Sequence, residues 1–119
     1  MLIKQLKTKI HRARLTKVDM AYEGSMGIDK NLIDAAGLEP FEAIHVWNVN
    51  TGHRLETYVI EAPAGSGEIS LNGAAARGAS EGDIVIIAAF CWRDVAEKFA
   101  PTVILVDEKN GIKEKIVKA

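Results

Sequence analysis

The sequence predicts a mainly β domain, and two observations support this prediction. Glycine, proline and asparagine cut the chain into short β-rich pieces, with no internal repeat or low-complexity tract. Only one segment carries both a clear start signal and a clear stop signal for a helix. A chain of 119 residues is one domain by length. Many short strands with few helices are typical of a small closed barrel or a sandwich, and propensity leaves that choice open.

The best supported strands form a hairpin. The segments AIHVWNV and RLETYVI flank Asn50-Thr51-Gly52-His53, whose glycine suits a turn. With this hairpin included, strands are predicted near residues 2–8, 10–17, 42–49, 54–61, 68–71, 83–91, 102–107 and 112–117.

One short helix follows the YEGSMGID segment. Asp29 can cap its N-terminus, Gly37 can end it, and its apolar side consists of Leu32, Ile33 and Ala36. A second turn of helix is predicted at DVAEKFA, where Pro101 would end it.

Charge is nearly balanced overall but unevenly distributed. Residues 1–24 carry six basic and two acidic side chains, a charge of +4, which leaves −5 for the rest of a chain whose total is −1. The balance predicts no general attraction to nucleic acid or to a membrane. The basic segment favours an anionic partner there, although a solvated strand face explains it equally well.

Cysteine usage and hydropathy predict a soluble cytoplasmic protein. The single cysteine, Cys91, excludes an internal disulfide and fits a reducing compartment. It lies in the apolar run IVIIAAFCW, which favours a buried, inert thiol. That run is too short to span a bilayer, and the N-terminus lacks the apolar core of a signal peptide.

The dipeptide Gly24-Ser25 is either a simple turn or a reactive serine. Serine-hydrolase chemistry is excluded because the G-x-S-x-G motif needs glycine where this chain has Glu23. The three histidines, His11, His45 and His53, match no metal-binding spacing, so no metal site is predicted.

Two further stretches carry candidate binding groups. In LNGAAARGAS, Asn72 and Gly73 signal a turn, and the alanines after them would let backbone N–H groups approach a ligand; tight packing explains the small residues equally well. On the strand at 54–61, Arg54 and Tyr58 share one face and pair a carboxylate-binding guanidinium with a phenol that can pass a proton. Thr57 falls on the opposite face.

Taken in order, the segments KIHRARLT, YEGSMGID, VWNVNTG, RLETY and LNGAAAR resemble the pyruvoyl-dependent aspartate 1-decarboxylases. The resemblance runs from about Lys9 to Val85, and Met26 after the serine is its main departure. It implies a double-psi β-barrel with short helices, a homotetramer, and a cofactor made from the chain's own serine.

The resemblance implies a self-cleavage reaction between Gly24 and Ser25. The Ser25 hydroxyl would attack the Gly24 carbonyl, and Thr57 would stabilise that carbonyl as it becomes tetrahedral. Elimination and hydrolysis would then cut the chain into residues 1–24 and residues 25–119, with a pyruvoyl group at the start of the second part. Glycine is expected before the serine because it tolerates a strained backbone and leaves the carbonyl open.

The resemblance also implies decarboxylation of L-aspartate to β-alanine and CO₂ through a Schiff base with the pyruvoyl group, which supplies β-alanine for pantothenate synthesis. Arg54 would bind one carboxylate, Lys9 a second anionic group, and Tyr58 would protonate the carbanion. The remaining expected pocket residues are Asn72, the backbone of Gly73, Ala74 and Ala75, and, as wall or structural residues, His11, Tyr22 and Trp47.

Two other functions stay open at the level of sequence. A small barrel with a basic N-terminal strand can be a nucleic-acid-binding module, although aromatic residues are missing between the basic residues at 4–17. A barrel of this family that never cleaves itself could serve as a structural protein. The favoured hypothesis predicts L-aspartate and copies of the same chain as partners, with no nucleic acid and no membrane.

Overall fold

The computed structural model describes residues 1–118 and consists mainly of strands. They are β1 (Leu2–Arg14), β2 (Lys17–Asp19), β3 (Ser25–Asp29), β4 (Ala43–Asn48), β5 (Arg54–Ala62), β6 (Ile69–Asn72), β7 (Ile84–Asp94), β8 (Thr102–Val106) and β9 (Ile112–Val117), with helix α1 (Lys30–Ala36) and a short 3₁₀ helix (Gly73–Ala76).

The strands form one sheet that curls into a closed barrel. Their order is β2-β6-β3-β5-β4-β7-β1-β8-β9. The chain leaving β1 continues into β2, which pairs with β6 near the opposite end of that order. The Thr16 backbone N–H donates to the Ile69 carbonyl at 2.8 Å at this junction. The ring therefore closes, which confirms the predicted mainly β fold class and agrees with a double-psi barrel.

A single apolar core fills the barrel and extends under α1. Inward side chains of β1, β3, β4, β6 and β7 contribute Ile10, Met26, Ile28, Ile44, Leu71 and Ile87, all at most 1% exposed. The helix adds its apolar side, as the sequence predicts, through Leu32, Ile33 and Ala36. Burial of this apolar surface is the main force that holds β3 between β6 and β5.

Both predicted helix caps are confirmed, and the N-terminal cap, Asp29, makes further hydrogen bonds that the sequence does not predict. The Asp29 carboxylate accepts from the Asn31 N–H at 2.8 Å, and Gly37 ends the helix with φ 72°. Asp29 also accepts from the N–H groups of Gly65 and Gly67 at 3.0 and 2.8 Å. It therefore joins the start of α1 to the loop before β6.

Three local predictions are wrong. The segments 2–8 and 10–17 are not two strands, because β1 runs unbroken to Arg14 and absorbs its irregularity in two register shifts against β7. Ser25 does not lie in a turn but begins β3. The DVAEKFA segment is a turn closed by the Glu97 N–H and the Asp94 carbonyl at 2.9 Å, not a helix.

The hairpin of β4 and β5 is confirmed, with Trp47 opposite Arg54 next to the turn. Within residues 1–118, no helix is both long and apolar enough to cross a membrane.

Candidate active site

Ser25 is a buried residue whose hydroxyl is held by a neighbouring strand. It is 2% exposed and lies directly opposite Asn72 in the antiparallel pair of β3 and β6. The Asn72 side-chain amide donates to Ser25 Oγ at 3.1 Å, and Ser25 Oγ contacts the Glu23 carbonyl oxygen at 3.4 Å. The bond from Asn72, which is 47 residues away in sequence, shows that this hydroxyl is oriented by the fold.

Gly73 lies directly against the residue before the serine. Its φ is +71°, and a Cβ built on it would lie 2.6 Å from both N and Cα of Gly24 and 2.8 Å from the Tyr22 carbonyl oxygen. Only glycine fits both that conformation and that space. We call Gly24, Ser25, Asn72 and Gly73 the cleavage cluster. The Asn72-Gly73 pair, which the sequence predicts to be a turn, therefore brings the Gly73 backbone against Gly24, next to the Gly24-Ser25 bond.

One of the two expected reasons for glycine at position 24, tolerance of a strained backbone, is not supported. Gly24 is not among the glycines with positive φ, and a Cβ built on it would contact nothing within 4 Å. Its backbone is therefore not held in a left-handed conformation, and its surroundings would accommodate a side chain. What glycine provides at this position is a carbonyl without a neighbouring side chain.

Thr57 and Tyr58 lie on the strand beside the cleavage cluster. β3 and β5 are parallel, with Met26 opposite Val59. The same register extended backwards brings Tyr58 level with Ser25 and Thr57 level with Gly24. Thr57 shares the inner face of β5 with Val59, whereas Tyr58 is on the outer face, as the alternation predicts.

Arg54, Trp47 and Lys9 lie on the outer face of the sheet, and we call them the basic face. The Arg54 guanidinium stacks on the Trp47 ring, with 4.6 Å from Cζ to the ring centroid. Lys9 lies opposite Ala88 on β7, and Ala88 in turn lies opposite His45 on β4. Residues directly opposite each other share a face, so the side chains of Lys9 and His45 point to the same side of the sheet. Trp47 is two residues after His45 on β4 and therefore shares that face.

The basic face lies further along the sheet from Ser25. Arg54 is four residues from Tyr58, a distance of about 13 Å along an extended strand. Lys9 is on β1, four strand positions from β3 in one direction, while the closed ring also joins β1 to β3 through β2 and β6. The backbone positions of the residues predicted to hold substrate are therefore on other parts of the sheet than that of the residue predicted to react.

The remaining predicted pocket residues do not all lie with the cleavage cluster or the basic face. Ala74 is exposed and Ala75 half-buried in the 3₁₀ helix that follows Asn72. Tyr22 is 58% exposed and reaches the cleavage cluster through its carbonyl oxygen. His11, on β1, lines a separate cavity of about 480 Å³. Burial, followed by the charges of Lys9 and Arg12, lowers the pKa of His11 from its ordinary value, which favours the neutral imidazole.

The structure adds four residues near the cluster that the sequence did not single out. A cavity of about 200 Å³ beside Asn72 and Tyr22 is also lined by Lys17, Ile60, Glu68 and Ser70. Ser70 is 2% exposed and donates to the Glu68 carboxylate at 2.9 Å. A signal for two of them was available, because residues 68, 70 and 72 alternate along the segment that leads into β6 and therefore share a face.

Comparison with known proteins gives consistent matches along the chain. The family described as aspartate decarboxylase matches residues 1–113, well beyond the segments that carry the resemblance. Aspartate 1-decarboxylase of Leptothrix cholodnii is 58% identical over 113 residues, covering 92% of this chain and 85% of that protein. That of Hyphomonas neptunium is 50% identical, covering 95% and 98%, and that of Coprothermobacter proteolyticus is 52% identical, covering 96% and 95%.

Among solved structures, the rationally designed mkDPBB_sym_86 protein aligns over 65% of this chain and 90% of its own, with 20% identity and a TM-score of 0.49. That likeness is weak, and the barrel follows from the strand pairing of this chain itself. The match of the family over residues 1–113 and the identity of half or more to full-length relatives lead to one conclusion: the chain belongs to the aspartate decarboxylase family.

Proposed function

We propose that this chain decarboxylates L-aspartate to β-alanine and CO₂, using a pyruvoyl group made from its own Ser25, and so supplies β-alanine for pantothenate synthesis. The substrate follows from the name that its relatives share. The observation that carries the proposal is the buried Ser25 hydroxyl, held at 3.1 Å by the Asn72 amide and next to a Gly24 that lies against Gly73.

The first reaction uses only groups of this chain. Ser25 Oγ attacks the Gly24 carbonyl carbon; the C–O bond forms, the peptide C–N bond breaks, and the proton passes from Oγ to the Ser25 nitrogen. The result is an ester. Because nucleophile and carbonyl belong to adjacent residues, the effective concentration can reach roughly 10⁵ M or more when they are aligned. Asn72 orients Oγ, and Thr57, level with Gly24, would stabilise the negative oxygen of the tetrahedral state.

Elimination then separates the two parts of the chain. Loss of the Ser25 α-proton expels the Gly24 carboxylate and leaves a dehydroalanine, which hydrolyses to a ketone with release of ammonia. The chain becomes residues 1–24 and 25–119. The new group would lie where the Ser25 side chain lies now, with the Asn72 amide N–H as a donor for a carbonyl oxygen. This donor and the small neighbouring residue Gly73 suit a group no larger than a serine.

When formed, a pyruvoyl group supplies a ketone carbonyl that condenses with an amine and accepts the electrons released as CO₂ leaves. The chain supplies the other parts of the reaction. Arg54 binds one carboxylate of the substrate, since its guanidinium matches a carboxylate in shape and charge. Lys9 binds a second anionic group, and the Tyr58 phenol donates the proton that replaces CO₂. Asn72 and the backbone of residues 73–75 line the pocket.

The arrangement of these residues favours a site shared between protomers. Arg54 begins about 13 Å along its strand from the level of Ser25, and a second chain that presents its basic face to the first would supply a guanidinium and an ammonium group at the cleavage cluster. A homotetramer with closed symmetry provides this arrangement, since each protomer then gives one face and receives another. A cytoplasmic location is part of the same proposal, because the substrate is an intracellular amino acid.

The proposal is tested by measuring two properties of the purified protein. Intact mass should give two chains, corresponding to residues 1–24 and to residues 25–119 with a pyruvoyl end. Incubation with L-aspartate should yield β-alanine, while L-asparagine, which has only one carboxylate for the basic face, should be a much poorer substrate. A single uncut chain without β-alanine production would contradict the proposal and favour a structural role. Salt-dependent retention on DNA without turnover would favour the nucleic-acid-binding alternative.

A further inference from the structure

We propose that Phe41 is a positioning residue for Tyr58, held in an unfavourable backbone conformation so that its ring fixes the orientation of the phenol. The inference rests on the proposed function, in which Tyr58 donates the proton. It concerns the loop between α1 and β4, which the sequence motifs do not include.

Phe41 has a backbone conformation that bulky residues avoid. Its φ is 68°, and among residues 1–118 only Arg12 and Asn110 are other non-glycine residues with positive φ. Asn110 is a residue type that tolerates this conformation, and its side chain is bonded to Arg14 and Gly67. A phenylalanine there costs free energy, and such strain persists where the surrounding structure determines it and often where function needs it.

Two backbone hydrogen bonds join this loop to the residue that follows Tyr58. The Phe41 N–H donates to the Val59 carbonyl at 2.7 Å, and the Val59 N–H donates to the Glu42 carbonyl at 3.0 Å. Both bonds use the residue that follows Tyr58 on β5. The position of the Phe41 ring is therefore tied to the strand that carries the phenol.

The Glu42 side chain holds the loop from the other side. Lys7 Nζ lies 3.0 Å from both oxygens of the Glu42 carboxylate, and the Glu39 N–H donates to the same carboxylate at 2.9 Å. The side chains of Lys7 and Glu42 are 27% and 20% exposed, so the pair is partly shielded from solvent. β1 thus anchors the loop independently of β5.

The ring gains little from its position except contact with Tyr58. Phe41 is 76% exposed in the single chain, so burial within its own protomer does not explain why the strained conformation is kept. Its ring centroid lies 6.2 Å from that of Tyr58, with the planes tilted by 35°, which is within the range of favourable aromatic pairs. A side chain that neither buries itself nor relaxes its backbone, yet contacts the proton donor, is best explained by that contact.

The proposed effect is on the orientation of the phenol. Tyr58 lies on the outer face of β5, where the core does not restrict it. Phe41 packs against the ring and narrows the range of its side-chain torsions, so that the hydroxyl stays within reach of the reacting carbon. An error of about 1 Å in such a placement can cost about a hundredfold in rate.

The test compares Phe41→Asn, Phe41→Tyr and the wild type. Asparagine accepts the positive φ but has no ring, so Phe41→Asn should leave thermal stability unchanged or raise it, leave self-cleavage intact, and lower kcat at least about tenfold with KM changed less than about twofold. Phe41→Tyr keeps the ring and should stay within about twofold of the wild-type kcat. Phe99→Asn, at another exposed phenylalanine, is the matched control and should leave kcat unchanged.

A double-mutant cycle with Tyr58→Phe separates positioning from a general structural role. If Phe41 acts through the phenol, Phe41→Asn should lower kcat much less in the Tyr58→Phe background than in the wild type. A wild-type kcat in Phe41→Asn, or an equal fall in both backgrounds, would overturn the inference. Failure of the proposed function itself would look different, because the wild-type protein would then make no β-alanine.

Discussion

At the scale of single residues, the contact between Gly73 and Gly24 is the most constrained feature of the candidate site. Gly73→Ala would place a methyl group 2.6 Å from Gly24 N and Cα in a backbone conformation with φ +71°. We expect a stability loss of about 2 kcal/mol or more and self-cleavage slowed at least about tenfold, because Gly24 would be displaced from Ser25. Thermal unfolding and timed intact-mass measurements check both effects.

Gly78→Ala is the matched control for that variant. Its φ is +85°, but a Cβ there would contact nothing within 4 Å, so it introduces the same backbone strain without the clash. We expect a smaller stability loss and normal cleavage. If Gly73→Ala cleaved as fast as Gly78→Ala, the contact would have no part in the reaction.

Arg54 is expected to act on substrate and not on self-cleavage. It is the first residue of β5, four residues before the level of Ser25, and stacks on Trp47. Arg54→Ala should therefore be cut normally, while kcat/KM falls by the equivalent of about 2–4 kcal/mol, or roughly 30- to 1000-fold. Lys115→Ala, on the exposed strand β9, is the control and should have wild-type turnover. Near-normal turnover of Arg54→Ala would rule out its assignment.

At the scale of elements, the sequence predicted those helices and strands that are determined by residues within or next to their own segment. The helix and the β4–β5 hairpin were predicted because caps and turn residues lie within their own segments. β3 was missed because all five of its residues are buried, so the sequence SMGID shows no alternation, and Gly24-Ser25 resembles a turn. The unbroken β1 was missed because its irregularities are absorbed by pairing with β7, which is distant in sequence.

Asp29 links helix α1 to the loop before β6 through hydrogen bonds of its side chain. Its buried carboxylate caps α1 and accepts two N–H groups from the loop at residues 65–67. Asp29→Ala should cost about 2–4 kcal/mol of unfolding free energy, since it removes a cap and leaves other donors unpaired. Asp34→Ala, on the exposed side of the same helix, should cost far less. Equal effects in chemical denaturation would show that the links to the loop contribute nothing.

At the scale of the whole molecule, the separation of the basic face from the cleavage cluster predicts subunit complementation. Ser25→Ala cannot form the cofactor but keeps Arg54, whereas Arg54→Ala forms the cofactor but lacks the guanidinium. If each site combines Ser25 of one protomer with Arg54 of another, co-expression of these two inactive variants should restore a part of the wild-type activity. Light scattering should give a multiple of the 12.9 kDa chain mass. No recovery in verified mixed oligomers would place both residues in one protomer.

The limits of sequence reasoning are also clearest at this scale. The alternation of side chains along β5 correctly predicted that Thr57 lies on the other face of the strand from Arg54 and Tyr58. It could not show that Tyr58 is level with Ser25 while Arg54 is remote from it, because this depends on the parallel register of β3 and β5. Register across a barrel is set by the packing of the whole core, which a single strand does not encode.

The central claim is that Ser25 becomes the cofactor, and Ser25→Ala tests it most directly. Alanine has no oxygen to accept the Gly24 acyl group, so the variant should fold, assemble and remain one uncut chain with no β-alanine production. Its stability should fall by about 1–3 kcal/mol, because the buried Asn72 amide loses its acceptor. Ser25→Cys, whose thiol can still take the acyl group, should be cut slowly. Intact mass and β-alanine formation should be measured on the same Ser25→Ala sample: an uncut, inactive chain is predicted, and wild-type β-alanine production would contradict the account.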